Sequence, residues 1–360
     1  MMLPFRLLAD VKPANLFRFV RDGGLRNLAA INRFIRTGEP AFYFLSVTQR
    51  CNLSCRGCWA IGADKPVDMD QTLLRRILSR GGFFGILGGE PLLIPNLPEL
   101  LGEHRNCYFL LFTNGTLIDK PLAERLAKAG NITPLINVAG GSQNAVTICR
   151  DAGMVTGAAW SIDKSNFAET VSSACLDRLA ELGAHFVWPY IFRPSGVDPN
   201  YALALSDEEV TAVRRFLVDE RGRNDLVIID TYWNHKGEPM CPAATGISAH
   251  INPAGQIEPC PPVQFSDACY GEESRWLAAF KEQVPKWTQG CPLMDHPKEL
   301  AELAKNSGAR DSSGRNDLFA ACAARPVLGC HNHATLPVPE KYFGYRFAKK
   351  HWFFGFGAYG

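Results

Sequence analysis

The sequence predicts an α/β protein in which a partial (β/α)6 barrel is followed by a small, loop-rich C-terminal module. Strand-like apolar runs alternate with amphipathic helical runs between residues 41 and 235. This alternation is typical of a parallel sheet covered by helices, and the six or seven strands are too few for a closed eightfold barrel. From residue 236 to 335 the chain is rich in Pro, Gly and Cys, which indicates a unit that needs a staple besides its own core.

The individual elements are predicted from periodicity and from the residues that bound them. Aromatic and β-branched runs predict strands over 41–48, 83–89, 107–114, 133–139, 155–162, 184–192 and 226–233. Apolar residues spaced three and four apart predict helices over 69–80, 97–105, 119–130, 143–153, 166–183, 206–220, 273–284 and 297–306. The letters INPAG, at 251–255, predict a hairpin turn between two short strands. Residues 1–40 are expected to form basic amphipathic helices, and 336–360 to form an aromatic, basic tail.

Composition and charge exclude several classes of protein. Of the 360 residues, 46% are hydrophobic and 21% are charged, and no apolar stretch is long enough for a transmembrane helix. The formal net charge of +2 is too small for a protein that binds nucleic acid. The first residues lack the continuous apolar core of a signal peptide, so the 12 cysteines indicate a reducing compartment and ligation of a metal or cluster. We therefore expect a cytoplasmic protein.

Three closely spaced cysteines follow the first predicted strand, and we call Cys51, Cys55 and Cys58 the first cysteine set. Three thiolates on one short loop can hold three irons of a [4Fe–4S] cluster and leave the fourth iron open to a substrate or cofactor. The alternatives are a zinc site without its fourth ligand, or three unrelated thiols. Zinc sites usually add a second Cys or His pair, so the spacing favours a cluster.

A second motif, Gly88-Gly89-Glu90-Pro91 or GGEP, ends the second predicted strand. Glycines let a backbone approach a ligand closely, and a carboxylate accepts hydrogen bonds from an ammonium group. Taken alone, a Gly-Gly pair after a strand also fits an ordinary loop. Because the carboxyl ends of neighbouring barrel strands meet on one face, the GGEP motif is expected beside the first cysteine set.

The first cysteine set followed by GGEP resembles the radical S-adenosylmethionine (radical SAM) superfamily over about residues 41–235. The resemblance implies that the set binds a [4Fe–4S] cluster whose open iron takes the methionine amine and carboxylate, and that GGEP contacts this amine. It also implies an electron donor such as flavodoxin or ferredoxin, and cleavage of SAM to a 5′-deoxyadenosyl radical that abstracts a substrate hydrogen. The superfamily usually has an aromatic residue before the third cysteine, where this chain has Gly57, with Trp59 after the cysteine.

Polar residues near the ends of later strands are weaker candidates for contacts with SAM. They are Asn114, Asn137, Ser161 and Arg193. The resemblance implies that such side chains bind the ribose and carboxylate groups. Each of them fits equally well as a turn or cap residue.

A second cysteine set is expected in the C-terminal module. The spacing of Cys241, the predicted hairpin and Cys260 resembles the opening of the SPASM/twitch extension, which carries auxiliary iron–sulfur clusters in many radical SAM enzymes. The resemblance implies one auxiliary [4Fe–4S] cluster, because the dense run of cysteines that supports two is missing. The second cysteine set is Cys241, Cys260, Cys291 and Cys330, with Cys269 and Cys322 as other candidates for the fourth ligand. A zinc staple on the same thiols is the alternative.

Both ends of the chain are basic. Residues 1–40 and 341–360 each carry a charge of +4, which leaves −6 between them. One helical face in the first segment is predicted from Leu25, Leu28, Ile31 and Ile35. Two alternatives are open for these ends: docking on the barrel to close its bottom, or attachment to an anionic membrane surface, where basic and aromatic residues are the expected mixture.

The substrate expected from these patterns is a small or lipid-like molecule met at the membrane surface. Only 50 residues precede Cys51, too few for the N-terminal peptide-binding domain of many relatives with this extension. A peptide-modifying maturase with a separate carrier is the alternative. A zinc-stapled binding module without catalysis is the alternative from another class of protein.

Overall fold

A largely parallel sheet forms the centre of the computed structural model, which describes residues 3–60, 62–331 and 337–350. Its strands are β1 (Phe42–Ser46), β2 (Gly82–Leu87), β3 (Cys107–Thr113), β4 (Ile132–Asn137), β5 (Gly157–Ile162), β6 (Phe186–Ile191), β7 (Val227–Ile228), β8 (Ser248–Ile251) and β9 (Ile257–Glu258). Within the described residues the strand order is β7-β6-β5-β4-β3-β2-β1-β8-β9. The strands from β1 to β7 pair in parallel with their neighbours, β8 is parallel to β1, and β9 is antiparallel to β8. A separate small sheet joins β10 (Phe265–Ser266) to β11 (Arg310–Asp311).

In the part of the chain that the structure describes, three α-helices precede β1, and helices follow most of the strands. They are α1 (Leu3–Asp10), α2 (Pro13–Arg18), α3 (Arg26–Thr37), α4 (Gln71–Ser79), α5 (Leu97–Glu103), α6 (Lys120–Ala129), α7 (Asn144–Asp151), α8 (Phe167–Thr170), α9 (Ser173–Glu181), α10 (Asp207–Arg223), α11 (Pro242–Thr245), α12 (Arg275–Trp287), α13 (Pro292–Asp295), α14 (Pro297–Asn306), α15 (Leu318–Ala323) and α16 (Phe343–Lys350). The predicted α/β alternation is confirmed.

Helix caps explain where several of these elements begin. The side chain of Asp70 accepts hydrogen bonds from the first turn of α4, and Asp119 does the same for α6. The predicted single helix over 166–183 is instead two helices, α8 and α9. Ser172 separates them because its hydroxyl accepts a hydrogen bond from Cys175 N at 3.2 Å and starts a new helix.

Alternate residues of the strands pack into two layers. Tyr43 and Leu45 of β1 lie in the large cluster shared with helices such as α4 and α6. Phe42 and Phe44 point to the other face, in a cluster that also holds Trp188 of β6. Because each face of the sheet is buried, the strands are almost continuously apolar, as a covered parallel sheet requires.

The N-terminal helices cover the end of the barrel that is opposite the strand carboxyl ends. Lys12 N donates to Gly153 O at 3.0 Å, just before β5, and Arg18 donates to Ala129 O at 2.8 Å, just before β4. Ala30 and Ile31 of α3 join the inward cluster. This arrangement agrees with the docking alternative for the N-terminal segment.

The predicted apolar face of the N-terminal segment is wrong in detail. Of its four residues only Ile31 is buried, whereas Leu25 is 62% exposed and Ile35 is 71% exposed. Residues 19–25 form a wide π-helical turn ahead of α3. Since such a turn holds more residues than an α-helical one, it changes which face of α3 meets the barrel, and Asn27, Ala30 and Ile31 are buried instead.

The C-terminal module contributes strands to the barrel sheet. The predicted hairpin is present as β8 and β9, and Gly255 in its turn has a φ of +83°, a conformation that favours glycine. β8 pairs with β1 over Phe42–Leu45. The predicted domain boundary between 235 and 236 therefore divides one continuous sheet.

The described part of the tail is anchored to the barrel by buried charges. Asp230 accepts hydrogen bonds from Lys349 at 2.9 Å, from Arg221 at 2.7 Å and from Arg214 at 3.0 Å. Glu340 accepts from the same two arginines, and all five side chains are inaccessible to solvent. We call these five residues the tail ion cluster. Residues 351–360 of the predicted tail lie outside the described residues.

The tail ion cluster shortens the last predicted strand. The sequence predicts a strand over 226–233, but the structure has only Val227–Ile228 as β7. The Asp230 side chain belongs to the tail ion cluster, and Lys349 Nζ donates a hydrogen bond to the carbonyl oxygen of Trp233 at 2.5 Å. In the described ranges, no helix is both long and apolar enough to cross a membrane.

Candidate functional site

The first cysteine set lies on the loop that leaves the carboxyl end of β1. Cys51 and Cys58 are half-buried and Cys55 is exposed, and all three are reduced cysteines. Cys58 N donates to Cys55 O at 3.3 Å, and Leu53 N donates to Cys51 Sγ at 3.4 Å. The loop therefore presents three sulfurs from one folded turn at the end of the barrel where active sites form.

The GGEP motif packs directly under this loop. Gly89 N donates to Thr48 O and Glu90 N donates to Arg50 O, both at 2.8 Å. A Cβ atom on Gly89 would lie 2.1 Å from Arg50 O, and one on Gly88 would lie 2.6 Å from Thr48 O. The close approach that the sequence predicts for these glycines is thus an approach to the backbone of the cysteine loop. Their expected contact with the methionine amine stays a prediction.

A matched pair of glycine substitutions tests this packing. Gly89→Ala should lower the free energy of unfolding by about 1–3 kcal/mol, the usual cost of forcing atoms into a packed site, and should reduce iron binding by the first cysteine set. Gly344→Ala is the control, because a Cβ atom on Gly344, in α16, would meet nothing within 4 Å. Urea unfolding and iron content measure the two effects. Equal stability of Gly89→Ala and wild type would contradict the packing argument.

Glu90 is a buried link between the ends of β2 and β3. Its carboxylate accepts hydrogen bonds from Thr113 Oγ1 and Asn114 N, both at 2.8 Å, and from Leu92 N at 3.0 Å. Burial raises the pKa of this carboxyl, although the backbone donors oppose the shift. The side chain therefore joins the ends of β2 and β3 next to the cysteine loop. Its contact with an ammonium group stays a prediction.

Of the other strand-end candidates, Asn114 lies beside the first cysteine set and Asn137 lies at the end of β4. Asn114 Nδ2 is 4.0 Å from Cys51 Sγ and 2.9 Å from Asn52 Oδ1. Asn137 is exposed, and its side chain accepts from Ala139 N at 3.1 Å, which is the turn role that the sequence left open.

Ser161 and Arg193 differ in where they lie. Ser161 is half-buried one residue before the end of β5, and its carbonyl oxygen accepts from Asn166 Nδ2 at 2.8 Å. Arg193 does not join the first cysteine set. It lines a second cavity, in the C-terminal module, together with sulfurs of the second cysteine set.

This second cavity is where the remaining predicted ligands meet. Its lining residues include Cys241, Cys260, Cys291 and His331. Cys241 precedes α11, Cys260 follows β9, and Cys291 precedes α13. Segments distant in sequence thus place their sulfurs around one space.

The fourth sulfur is that of Cys330, and it contacts Cys291. The Cys291 thiol donates a hydrogen bond to Cys330, which raises the pKa of Cys291 and, against the effect of burial, lowers the pKa of Cys330. Cys322 instead donates to Pro297 O at 3.2 Å, and Cys269 is exposed beside Gln256. Of the three candidates for the fourth ligand, Cys330 is the one next to the other sulfurs.

The chemistry of the cavity fits a cationic group bound by thiolates. Burial raises the pKa of Cys241 to about 12, and it raises the pKa of Cys260 well above its ordinary value. Thiolates are the form that binds metal, so a bound cluster would supply the positive charge that makes ionisation favourable here. Across the described part of the chain, no three Cys, His, Asp or Glu side chains are close enough to share a single metal ion.

Sequence reasoning missed His331, which directly follows Cys330. Its Nδ1 is 3.0 Å from Cys330 Sγ, and its Nε2 is 3.1 Å from Met240 O. Burial lowers the pKa of His331 to about 3, so the ring is neutral at neutral pH. The signal that could have identified His331 is its position next to Cys330 in the sequence.

The comparisons with known proteins agree with this geometry. Residues 45–160 match the family model of the radical SAM superfamily. Fe-coproporphyrin III synthase of Methanosarcina barkeri is 29% identical over 130 residues, which are 33% of this chain and 32% of that protein. PqqA peptide cyclase of Granulibacter bethesdensis is 32% identical over 109 residues, which are 26% of this chain and 28% of that protein. The chain thus spans about a third of the length of these curated relatives.

A solved structure extends the likeness of fold beyond the matched segment. Streptococcus suis SuiB bound to precursor peptide SuiA superposes with a TM-score of 0.53 at 16% identity, covering 71% of this chain and 68% of that one. SuiB bound to S-adenosylmethionine gives a TM-score of 0.52, also at 16% identity, covering 64% of this chain and 63% of that one. The predicted partial barrel is confirmed. The cysteine loop and the GGEP motif both lie within residues 45–160, the segment of this chain that matches the radical SAM superfamily.

Proposed function

We propose that the protein is a radical SAM enzyme that modifies a peptide. The observation that carries the proposal is the joint placement of three reduced cysteines on the β1 loop and the GGEP motif hydrogen-bonded to the base of that loop. The first cysteine set would hold a [4Fe–4S] cluster, and the open iron would take SAM. When bound and reduced, this cluster supplies the electron that cleaves SAM.

The residues around the first cysteine set have distinct proposed roles. Gly88 and Gly89 allow the β2 loop to lie against the cysteine loop, and Glu90 fixes the ends of β2 and β3. Asn114 would contact the bound methionine group beside Cys51, and Ser161 would contact the ribose. The N-terminal helices cover the opposite end of the barrel.

The second cysteine set would hold one auxiliary [4Fe–4S] cluster. Three of its cysteines line one cavity and the fourth, Cys330, contacts Cys291. The raised pKa values of Cys241, Cys260 and Cys291 mean that these thiols ionise poorly without a cationic partner. We propose Cys241, Cys260, Cys291 and Cys330 as its ligands. A reduced flavodoxin or ferredoxin would supply the electrons.

We propose a peptide as the substrate, in place of the small or lipid-like molecule that the sequence led us to expect. PqqA peptide cyclase is named for a peptide, and SuiB was solved with its precursor peptide. The charge argument for a membrane is also weaker, because Lys341 pairs with Asp219 and Lys349 is buried in the tail ion cluster. A small molecule is the second candidate, favoured by the likeness to Fe-coproporphyrin III synthase.

Cleavage of SAM tests the proposed function directly. Protein reconstituted anaerobically with iron and sulfide should form 5′-deoxyadenosine when SAM and dithionite are added, and should form none without the reductant. Chromatography with mass spectrometry measures the product. A protein that carries its full iron content and still leaves SAM intact would overturn the proposal.

The substrate class is tested with an extract of the source cells grown in deuterated medium. Hydrogen abstraction from a labelled substrate would carry deuterium into 5′-deoxyadenosine. For a peptide, the transfer should survive dialysis that removes small molecules and should disappear after treatment with an immobilised protease. For a small molecule, the transfer should survive the protease and disappear on dialysis.

The number of clusters gives a further prediction. We expect about eight irons per chain, because two separate thiol sets each hold one [4Fe–4S] cluster. Replacing Cys51, Cys55 and Cys58 together with Ala should leave about four irons, held by the second set. Iron and sulfide analysis measures both values. A triple variant without iron would show that the second set binds no cluster.

A further inference from the structure

Arg193 lies in the second cavity although it follows β6, a strand of the barrel. It is half-buried two residues beyond the end of β6, and it lines the cavity with the sulfurs of the second cysteine set. Its Nε is buried and has no hydrogen-bond partner among the described residues. A guanidinium is charged at any accessible pH, so this cavity has a permanent positive charge in its wall.

An aromatic ring holds the guanidinium in position. The Arg193 Cζ atom lies 4.8 Å from the centre of the Tyr232 ring, which is a cation–π contact. Tyr232 is itself buried, and its hydroxyl accepts a hydrogen bond from Ile191 N at 3.1 Å. Ile191 ends β6, so the same strand fixes both partners of the contact.

Arg193 shares the wall of the cavity with three members of the second cysteine set, Cys241, Cys260 and Cys291. Four thiolates around a [4Fe–4S] core carry a net negative charge, and reduction adds one more. A fixed positive charge in a poorly solvated wall favours the more negative, reduced form.

We propose that Arg193 is a positioning residue that raises the reduction potential of the auxiliary cluster held by the second cysteine set. The inference rests on the proposed function and assigns Arg193 to this cluster, not to SAM. The segment after β6 also contacts the first cysteine set. Ser195 Oγ donates to Gly57 O at 3.0 Å, and a Cβ atom on Gly196 would lie 2.0 Å from Cys58 O. One short segment thus contacts both sites, so the measurement must isolate the auxiliary cluster.

The test uses the full-length chain in which the three residues of the first cysteine set are Ala, so that only the auxiliary cluster contributes a signal. A potentiometric titration followed by EPR gives its midpoint potential. Arg193→Gln should shift the midpoint to a lower potential with about four irons retained, whereas Arg193→Lys, which keeps the charge, should stay near the parent. An unchanged midpoint in Arg193→Gln with full iron content would overturn the proposal.

A second arginine provides the matched control. Arg325 also lies against a ring, with its Cζ atom 5.8 Å from the centre of Tyr201, but it is not among the residues that line the cavity. Arg325→Gln should therefore shift the midpoint less than Arg193→Gln does. A larger shift from Arg325→Gln would contradict the assignment to Arg193.

Loss of iron also has a defined meaning. If Arg193→Gln loses its iron while Arg193→Lys keeps it, the positive charge is required to retain the cluster and not to set its potential, and the proposal is overturned. If both variants lose iron, Arg193 serves the fold and the proposal fails. Absence of iron from the parent triple variant would instead reject the auxiliary cluster itself, which separates failure of the proposed function from failure of this inference.

Discussion

Replacing Cys55 with Ala should abolish the formation of 5′-deoxyadenosine and should lower the iron content by about four per chain. Each thiolate of the first cysteine set would bind one iron, so a set of two cannot retain the cluster in the form that leaves one iron open. Cys55 is the exposed member of the set, and its removal leaves no buried cavity. Anaerobic assays with dithionite and iron analysis measure both effects.

Another exposed cysteine provides the control for this variant. Cys269 is exposed and lies outside both cysteine sets. Cys269→Ala should keep the iron content and the rate of SAM cleavage of wild type. If Cys55→Ala cleaved SAM at the wild-type rate, the assignment of the first cysteine set would be wrong.

Removing the carboxylate of Glu340 should destabilise the protein by about 3–5 kcal/mol, the usual cost of leaving buried charges unpaired. Three cations of the tail ion cluster face two carboxylates, and Glu340→Ala would leave Asp230 alone with Arg214, Arg221 and Lys349. Urea unfolding measures the change in the free energy of unfolding. A change no larger than that of a surface variant would contradict the role of the cluster.

The matching surface variant is Lys341→Ala. Lys341 pairs with Asp219, and both side chains are 58% exposed, so the free energy of unfolding should not change measurably.

The stability that the tail ion cluster provides should also depend on pH in the acid range. Burial would raise the pKa of Asp230, but Lys349, Arg221 and Arg214 hold it well below its ordinary value. This stabilisation is complete above about pH 4 and is lost as the pH falls toward the pKa of the folded state, so Asp230→Asn should flatten the acid dependence of stability.

The parts of the fold and site that depend on local patterns could be predicted from the sequence. Alternating strands and helices give the parallel sheet, and the spacing within 51–58 places three thiols on one loop. The parts that depend on where a side chain points, or on which loops meet in the folded protein, could not be predicted from the sequence. Arg193 follows its strand as expected, yet the side chain reaches the second cavity. The sequence also cannot show that Gly89 meets Arg50, because their contact joins two loops.

The charge pattern of the ends misled the interpretation for a related reason. A count of lysines and arginines does not show which of them have partners in the folded chain. Lys349 is buried against Asp230, more than one hundred residues earlier in the chain. The π-helical turn before α3 similarly changed the buried face of that helix, and no apolar periodicity signals such a turn.

The pairing of β8 with β1 has a consequence for any attempt to produce the barrel alone. In the whole chain β1 has a neighbour on each side, β2 and β8. A protein cut after residue 235 would lose β8 and expose the backbone N–H and C=O groups of an apolar strand. Such a free strand edge can recruit the same edge of another molecule and start aggregation. The C-terminal module therefore also protects the strand that leads into the first cysteine set from self-association.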